Sequence, residues 1–303
     1  MRAAVIGIGS NSVRMLVADI QGETIHQVLR DREGTRLFGG LDQNGNLSDE
    51  SMRHTLDAVC TMHEKAINLK AAKIHLFATS AVRDAGNQQK FSSMIHMETG
   101  LELEICTGEN EAALSFLGAT YGGRAGVIDI GGGSTEYVIG HGAAIECGVS
   151  LQMGAVRLFK MYPIQSAADV PAVIDAATKI LQESIDPKIK ASTPEQWVGV
   201  GGTFTALAAL CKGINWKDKT GLNGYVVTVE QVEEWLYRLA GMTMSEKLKL
   251  KGLQPQRADI MAHGAGILVA SMRELNIPAM TVSEYGNLDG YLKQKYFISP
   301  NFL

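Results

Sequence analysis

The chain contains an internal repeat, which limits its possible folds more than any other feature of the sequence. The segment Val5–Val17, VIGIGSNSVRMLV, aligns without gaps with Val127–Ile139, VIDIGGGSTEYVI. Both have an apolar run, a glycine and serine turn and a second apolar run. The stretches LFATSAVR, ending at Arg83, and VGVGGTFT, ending at Thr205, repeat at almost the same offset. Strand, glycine turn and strand occur in many α/β proteins, but two matches in the same order favour a duplication.

The length of the chain and the order of its predicted strands and helices indicate two similar domains. A chain of 303 residues is long for one hydrophobic core and fits two. In the first half, the runs Ala3–Ile8, Ser12–Ile20 and Thr24–Arg32 predict a meander of strands, and helices follow. We expect one α/β domain at residues 1–123 and another at 124–303, with the last helix a candidate for packing back on the first domain. The cleft between them would suit a small-molecule site.

Three further segments bear on the site. The run Leu101–Cys106 predicts a strand, while Asn110–Tyr121 and Arg257–Arg273 predict helices. Glu109 and Glu111 lie at the start of the first helix, where the helix dipole favours a carboxylate. From the residues alone, both are ordinary helix-start acids.

Composition and charge exclude several classes of protein. Hydrophobic residues make up 46% of the chain, too many for a disordered protein. The apolar stretches are shorter than the ~20 residues that cross a bilayer, and no signal peptide is recognisable, so we expect a cytoplasmic protein without a membrane partner. A net charge of −4 does not favour duplex nucleic acid, although basic residues concentrated in a cleft would suit a polyanion. The cysteines show no metal-binding or disulfide pattern.

The two glycine turns, GSNS at Gly9–Ser12 and GGGS at Gly131–Ser134, are candidates for phosphate binding. Without side chains, successive backbone N–H groups can approach an anion, and the hydroxyl groups and the Asn11 amide add donors. A single turn of this kind is more often an ordinary tight hairpin. Two in equivalent positions favour an anion site.

Acidic residues flank the second turn symmetrically. If the hairpin is centred between Gly132 and Gly133, Asp129 and Glu136 become direct cross-strand neighbours, with Cβ atoms about 5 Å apart. Two such carboxylates repel each other unless a cation or a shared proton lies between them. Oxygen ligands beside a phosphate site suit Mg²⁺, partly through water. The alternative is a solvated surface pair, or a Glu136 that turns towards a basic side chain.

An ordered set of motifs covers nearly the whole chain and resembles the exopolyphosphatase and guanosine pentaphosphate phosphohydrolase family. The motifs are GSNSVR from Gly9, TSAVRDA from Thr79, GENEAALSF from Gly108, VIDIGGGSTE from Val127, GVGGTFTAL from Gly199 and RADIMAHGAGIL from Arg257. The resemblance implies two duplicated ribonuclease-H-like domains of the fold shared by actin, sugar kinases and heat-shock chaperone ATPases. It also implies Mg²⁺-dependent release of orthophosphate from inorganic polyphosphate or guanosine pentaphosphate, and a homodimer.

The resemblance also assigns roles to residues. Glu111 matches the catalytic glutamate that deprotonates water, Asp129 and Glu136 match the metal and catalytic acids, and Arg83 matches an arginine of the phosphate cleft. The substrate-binding residues that we expect are Ser10, Asn11, Ser12, Arg14, Arg83, Gly131, Gly132, Gly133, Ser134, Thr135, Gly202 and Thr203.

Two positions depart from the family pattern. Gly7 stands where the family has an acidic residue, and reflection about the first turn places it opposite Arg14, which loses a partner and could turn towards phosphate. Leu288 stands where the family has arginine. Metal binding could be weaker as a result, which leaves open a weakly active relative that binds a nucleotide or alarmone and regulates. An ATP-dependent sugar or acyl kinase is a third interpretation, supported only by Gly201–Thr203.

Overall fold

Each half of the chain forms one mixed β-sheet. In the first sheet, β1 (Arg2–Ile8), β2 (Val13–Gln21) and β3 (Thr24–Glu33) form an antiparallel meander. The strands β4 (Lys73–Ala78) and β5 (Glu104–Ile105) continue the sheet in parallel beside β1, giving the order β3-β2-β1-β4-β5. This computed structural model describes residues 1–120, 122–192, 194 and 196–298.

The second sheet repeats this order and adds one strand at its edge. Its strands are β6 (Arg124–Ile130), β7 (Thr135–His141), β8 (Ala144–Leu151), β9 (Gln196–Val200), β10 (Val226–Thr228) and β11 (Ala279–Val282). An antiparallel meander of β8, β7 and β6 is followed by parallel β9 and β11, and β10 pairs antiparallel at the edge. The repeated order confirms the predicted duplicated α/β fold.

Helices connect the strands and cover the sheets. They are α1 (Asp49–Asn68), α2 (Ser80–Arg83), α3 (Gln88–Thr99), α4 (Gly108–Ala119), α5 (Ala155–Met161), α6 (Val170–Ser184), α7 (Pro187–Ala191), α8 (Gly202–Lys212), α9 (Val229–Ala240), α10 (Met244–Lys247), α11 (Met261–Glu274) and α12 (Asn287–Phe297). The start of α4 is fixed by Thr107, whose side chain accepts a hydrogen bond from the Asn110 N–H group. Within the described ranges, no helix has the length and apolar character to cross a membrane.

Three predicted elements differ from the structure. The helix expected from Arg257 begins at Met261, because a 3₁₀ turn, Pro255–Arg257, comes first. The strand expected at Leu101–Cys106 pairs only at Glu104–Ile105, where it forms the sheet edge. The helix expected to end at Tyr121 ends at Ala119, and Tyr121 lies outside the described residues.

The helices α4 and α12 pack on the sheets of the opposite halves. On α4, Phe116 is buried against Val127 and Val138 of the second sheet, whereas Leu292 of α12 is buried with Val5 of the first sheet. The domain boundary at residue 123 stays a prediction, since its first segment includes α4.

The two helices cross at glycines. A side chain at Gly118 would overlap the carbonyl oxygen of Gly286, and one at Gly290 would overlap the carbonyl oxygen of Leu114. Only residues without a Cβ atom allow the two backbones to approach so closely. This crossing fixes α4, and therefore Glu111, between the two sheets.

Candidate active site between the two glycine turns

The two predicted turns face each other across the junction of the two halves. The first joins β1 to β2, and the second joins β6 to β7. A Cβ atom added at Gly132 would lie 2.9 Å from Ser10 Cβ, and one added at Gly133 would lie 2.8 Å from Ser10 Oγ. Glycine is therefore required at this contact, and the tips of the turns touch.

The backbone carbonyl oxygens of the turns have hydrogen-bond partners among the residues that the structure describes, but several of the backbone N–H groups do not. The carbonyl oxygens of Ser10 and Gly132 accept hydrogen bonds from the Phe38 and Val156 N–H groups at 2.9 Å each. In contrast, no protein acceptor within the described residues takes a hydrogen bond from the backbone N–H groups of Ser10, Asn11, Gly132 or Gly133. Consecutive unpaired N–H groups form a cradle suited to an anion.

Asn11 has side-chain atoms without a partner in the described ranges, whereas Ser12 and Ser134 support the structure of the turns. The side chain of Asn11 is buried, and neither its oxygen nor its nitrogen has a partner. Ser12 and Ser134 close their turns through carbonyl oxygens that accept hydrogen bonds from Gly9 and Gly131, each at 3.0 Å. A buried amide without a partner is unusual and is explained by a ligand or water.

Three predicted binding residues already contact other parts of the protein. The Thr135 hydroxyl donates to the Met153 carbonyl oxygen, so it supports the second turn from behind. Thr203 is buried on α8 and packs against Gly264 of α11. Gly202, at the start of α8, lies against the guanidinium group of Arg257.

Glu111 and Arg83 form an ion pair beside the turns. Arg83 Nη1, at the end of α2, lies 3.0 Å from Glu111 Oε2 and 3.1 Å from the Cys106 carbonyl oxygen. Glu111 is 6% exposed, and its burial raises the pKa of the carboxyl group, whereas Arg83 opposes that rise. Arg83 Nη2 is buried without a partner. The pair thus combines a carboxylate with raised basicity and a free guanidinium donor.

Asp129 and Glu136 are directly opposite each other on β6 and β7, as the sequence predicts. Ser115 on α4 donates to Asp129 Oδ2 at 2.6 Å, and Ser150 on β8 donates to Glu136 Oε1 at 2.7 Å. Burial raises the pKa of both carboxyl groups, and the neighbouring Glu111 and Asp129 raise that of Glu136 further. The three acids therefore lie close enough to repel one another in the ionised state.

These carboxylates fit a magnesium ion that has few protein ligands. Glu136 Oε2 is buried without a partner, and its carboxylate lies across the ladder from Asp129. In the part of the chain that the structure describes, no group of three or more His, Cys, Asp or Glu side chains could hold a metal ion. Mg²⁺ commonly uses one or two carboxylates and completes its shell with water and substrate phosphate oxygens. Asp129 and Glu136 would supply those two.

Several residues of the site were missed by the sequence reasoning. Ser80, whose Oγ atom is 2.8 Å from Ser10 Oγ, and Ser115, which donates to Asp129, stand within the motifs TSAVRDA and GENEAALSF but were given no role. Ser150, which donates to Glu136, stands in no motif. Arg257 begins the motif RADIMAHGAGIL, but its position against Gly202 depends on the 3₁₀ turn Pro255–Arg257 that precedes α11. Burial lowers the pKa of Arg257 to about 10, and nearby Arg14 adds to this effect.

The two departures from the family pattern lie together in the fold. Gly7 is opposite Arg14, as predicted, and a Cβ atom at Gly7 would lie 2.9 Å from Leu288 Cδ2 and 3.0 Å from Phe77 Cζ. Leu288 is buried at this contact. An acidic side chain at position 7 would therefore collide with Leu288. Glycine at position 7 leaves the space that leucine at position 288 fills.

Two α/β halves of one topology meet at an anion cradle lined by buried acids, an arrangement suited to the cleavage of phosphate bonds. The chain belongs to the Ppx/GppA phosphatase family, whose model matches residues 16–296. It is 33% identical to Exopolyphosphatase 2 of Mycobacterium tuberculosis, over 95% of this chain and 97% of that protein. Its identity to the guanosine-5'-triphosphate,3'-diphosphate pyrophosphatase of Aliivibrio fischeri is 29%, over 92% of this chain and 56% of that protein. The solved PPX-GPPA enzyme of Aquifex aeolicus superimposes with a TM-score of 0.81 at 28% identity, covering 97% of this chain and 99% of that one.

Proposed function

We propose that the protein is an exopolyphosphatase that hydrolyses the terminal phosphoanhydride bond of inorganic polyphosphate and releases orthophosphate. The observation that carries the proposal is the set of unpaired backbone N–H groups on two facing turns, next to the buried Glu111–Arg83 pair. N–H groups of this kind bind phosphate oxygens, and a buried carboxylate with a raised pKa can accept a proton from water. The name of the M. tuberculosis relative supports inorganic polyphosphate as the substrate.

The reaction follows from these positions. The cradle binds the terminal phosphate, and Glu111 accepts a proton from a water molecule as the water oxygen attacks phosphorus. The bond from that phosphorus to the bridging oxygen breaks, and the bridging oxygen leaves as the new chain end. Arg83 orients the Glu111 carboxylate through its 3.0 Å contact, and its unpaired Nη2 would donate to an oxygen of the reacting phosphate.

The negative charge of the phosphate oxygens also needs compensation. Arg14 and Arg83 supply positive charge from the first half of the chain. Asp129 and Glu136 would hold Mg²⁺, which supplies further charge neutralisation at the phosphate. Ser115 and Ser150 hold the two carboxylates in place by hydrogen bonds.

Guanosine pentaphosphate is the second candidate substrate, since its hydrolysis breaks the same type of bond and relatives named as guanosine-5'-triphosphate,3'-diphosphate pyrophosphatases match at 29% identity. A cytoplasmic location and a homodimer remain predictions from the sequence.

The test compares long-chain polyphosphate, tripolyphosphate and guanosine pentaphosphate as substrates of the purified protein, with orthophosphate release as the measurement. We expect release from polyphosphate with Mg²⁺, loss of release with a chelator and recovery when Mg²⁺ is restored. Glu111→Gln removes the proton acceptor and should lower kcat about 10²- to 10⁴-fold without weakening tripolyphosphate binding.

The matched control is Glu109→Gln, an exposed carboxylate two residues away in the same helical turn. This variant should keep wild-type activity. Equal activity of Glu111→Gln and Glu109→Gln would remove Glu111 from the mechanism. Binding of guanosine pentaphosphate without turnover of any substrate would favour the regulatory alternative.

A further inference from the structure

A cluster of arginines extends away from the first turn. Arg14 on β2 and Arg32 on β3 are directly opposite each other in the antiparallel ladder, and β3 is the edge strand of the first sheet. Like charges in directly opposite positions destabilise a sheet. Arg257 adds a third positive charge, because Arg32 donates a hydrogen bond to Gln254, the residue directly before the 3₁₀ turn Pro255–Arg257. The three guanidinium groups therefore converge on one region.

The positive charge of Arg32 lacks a compensating acid. Its side chain is partly exposed overall, but Nε and Nη2 are buried without hydrogen-bond partners. Nη1 donates to the Gln254 side-chain oxygen, which is neutral and fixes the orientation of the guanidinium plane. Among the described residues, Arg32 forms no salt bridge. Burial, followed by Arg257 and Arg14, lowers the pKa of Arg32 well below its usual value.

The positive region continues to the surface. Burial lowers the pKa of Lys219, Glu284 opposes this, and the charges of Arg32, Arg257 and Arg30 add to the decrease. Its side chain is 57% exposed, and Nζ is 4.0 Å from Glu284. Arg14 links this positive region to the first turn, because its Nη2 atom would lie 3.8 Å from a Cβ atom added at Gly9.

We propose that Arg32, oriented by Gln254, binds the second phosphate group of a condensed phosphate whose first phosphate occupies the cradle. Two buried N–H donors on a planar guanidinium match two oxygens of one phosphate, which lysine cannot reproduce. Arg32 would thus distinguish condensed phosphates from orthophosphate. This inference rests on the proposed function for the identity of the first site.

The test measures binding of tripolyphosphate and of orthophosphate by calorimetry without divalent metal, so hydrolysis is not required. Arg32→Gln should weaken tripolyphosphate binding about 10- to 100-fold, the range of one charge-assisted contact, and change orthophosphate binding less than about 3-fold. Arg32→Lys keeps the charge but loses the paired donors, so its affinity for tripolyphosphate should lie between those of the wild type and Arg32→Gln. Arg53→Gln, an exposed residue on α1, makes the same change in net charge and should leave both affinities unaltered.

A second measurement separates a binding role from a structural one. Because Nε and Nη2 of Arg32 are buried without partners and its charge has no acidic partner among the described residues, Arg32→Gln should unfold at the same temperature as the wild type or higher. Lower stability, equal weakening of both anions, or no weakening of tripolyphosphate would overturn the proposal. Tripolyphosphate binding that depends on Arg32 in a protein that releases no orthophosphate would refute the proposed function alone.

Discussion

Replacing Gly290 with alanine places a methyl group where α12 crosses α4. The new Cβ atom would overlap the Leu114 carbonyl oxygen and lie 3.0 Å from the Gly118 nitrogen. Both neighbours are backbone atoms, so no change of rotamer can make room. The helices must separate, and α4 carries Glu111 one turn before Leu114.

The expected destabilisation follows from these contacts. Overpacking a filled site costs about 1–3 kcal/mol, and the rigid backbone neighbours place this site near the upper end. Alanine also restricts the unfolded chain, which offsets about 0.4–1 kcal/mol. We therefore expect the free energy of unfolding to fall by about 2 kcal/mol. A shift of about 1 Å at Glu111 could further lower kcat by about 10²-fold.

Urea denaturation and orthophosphate release would measure the two effects. Gly241→Ala is the matched control, because Gly241 has a φ of −80° and its added Cβ atom would be 3.6 Å from the nearest atom, the Tyr237 carbonyl oxygen. It should be neutral or slightly stabilising. If the free energy of unfolding of Gly290→Ala lies within about 0.5 kcal/mol of that of Gly241→Ala, the crossing of α4 and α12 is not the rigid contact inferred from the structure.

Two further predictions concern pH. Because the pKa of Glu136 is raised in the folded protein, its stabilising contribution is full below the unfolded pKa and is lost as pH rises through the folded pKa. Glu136→Gln should therefore unfold at a higher temperature than the wild type at pH 8 without divalent metal, with a smaller difference near pH 4; a difference independent of pH would contradict this. Arg83 lowers the pKa of Glu111, so Arg83→Gln should move the acid limb of kcat/KM to higher pH, whereas Arg83→Lys should move it less. An unmoved acid limb in Arg83→Gln would mean that Glu111 does not titrate in that limb.

The hairpins could be predicted in detail because their register is local. Reflection about each turn placed Asp129 opposite Glu136 and Gly7 opposite Arg14, and both pairs occur in the structure. The register of a two-stranded hairpin depends on the residues of its own turn and on the alternation of apolar and polar residues along its strands.

Partners from distant segments could not be predicted in this way. Ser115 stands in the motif GENEAALSF and Ser150 in none, but neither position shows its partner in the sequence. They meet Asp129 and Glu136 only because α4 and β8 pack beside the second hairpin. Arg257 was expected inside a helix, and the 3₁₀ turn places it against Gly202 instead.

The sequence by itself determined the duplication, the two glycine turns and the pairing of residues across them. Only the tertiary structure decided which backbone N–H groups stay unpaired, that α4 packs on the second sheet, and that Leu288 fills the space beside Gly7. The reason is physical. Pairing across a turn depends on neighbours along the chain, whereas burial, and with it the pKa of a carboxyl group or the isolation of a guanidinium, depends on segments far apart in sequence.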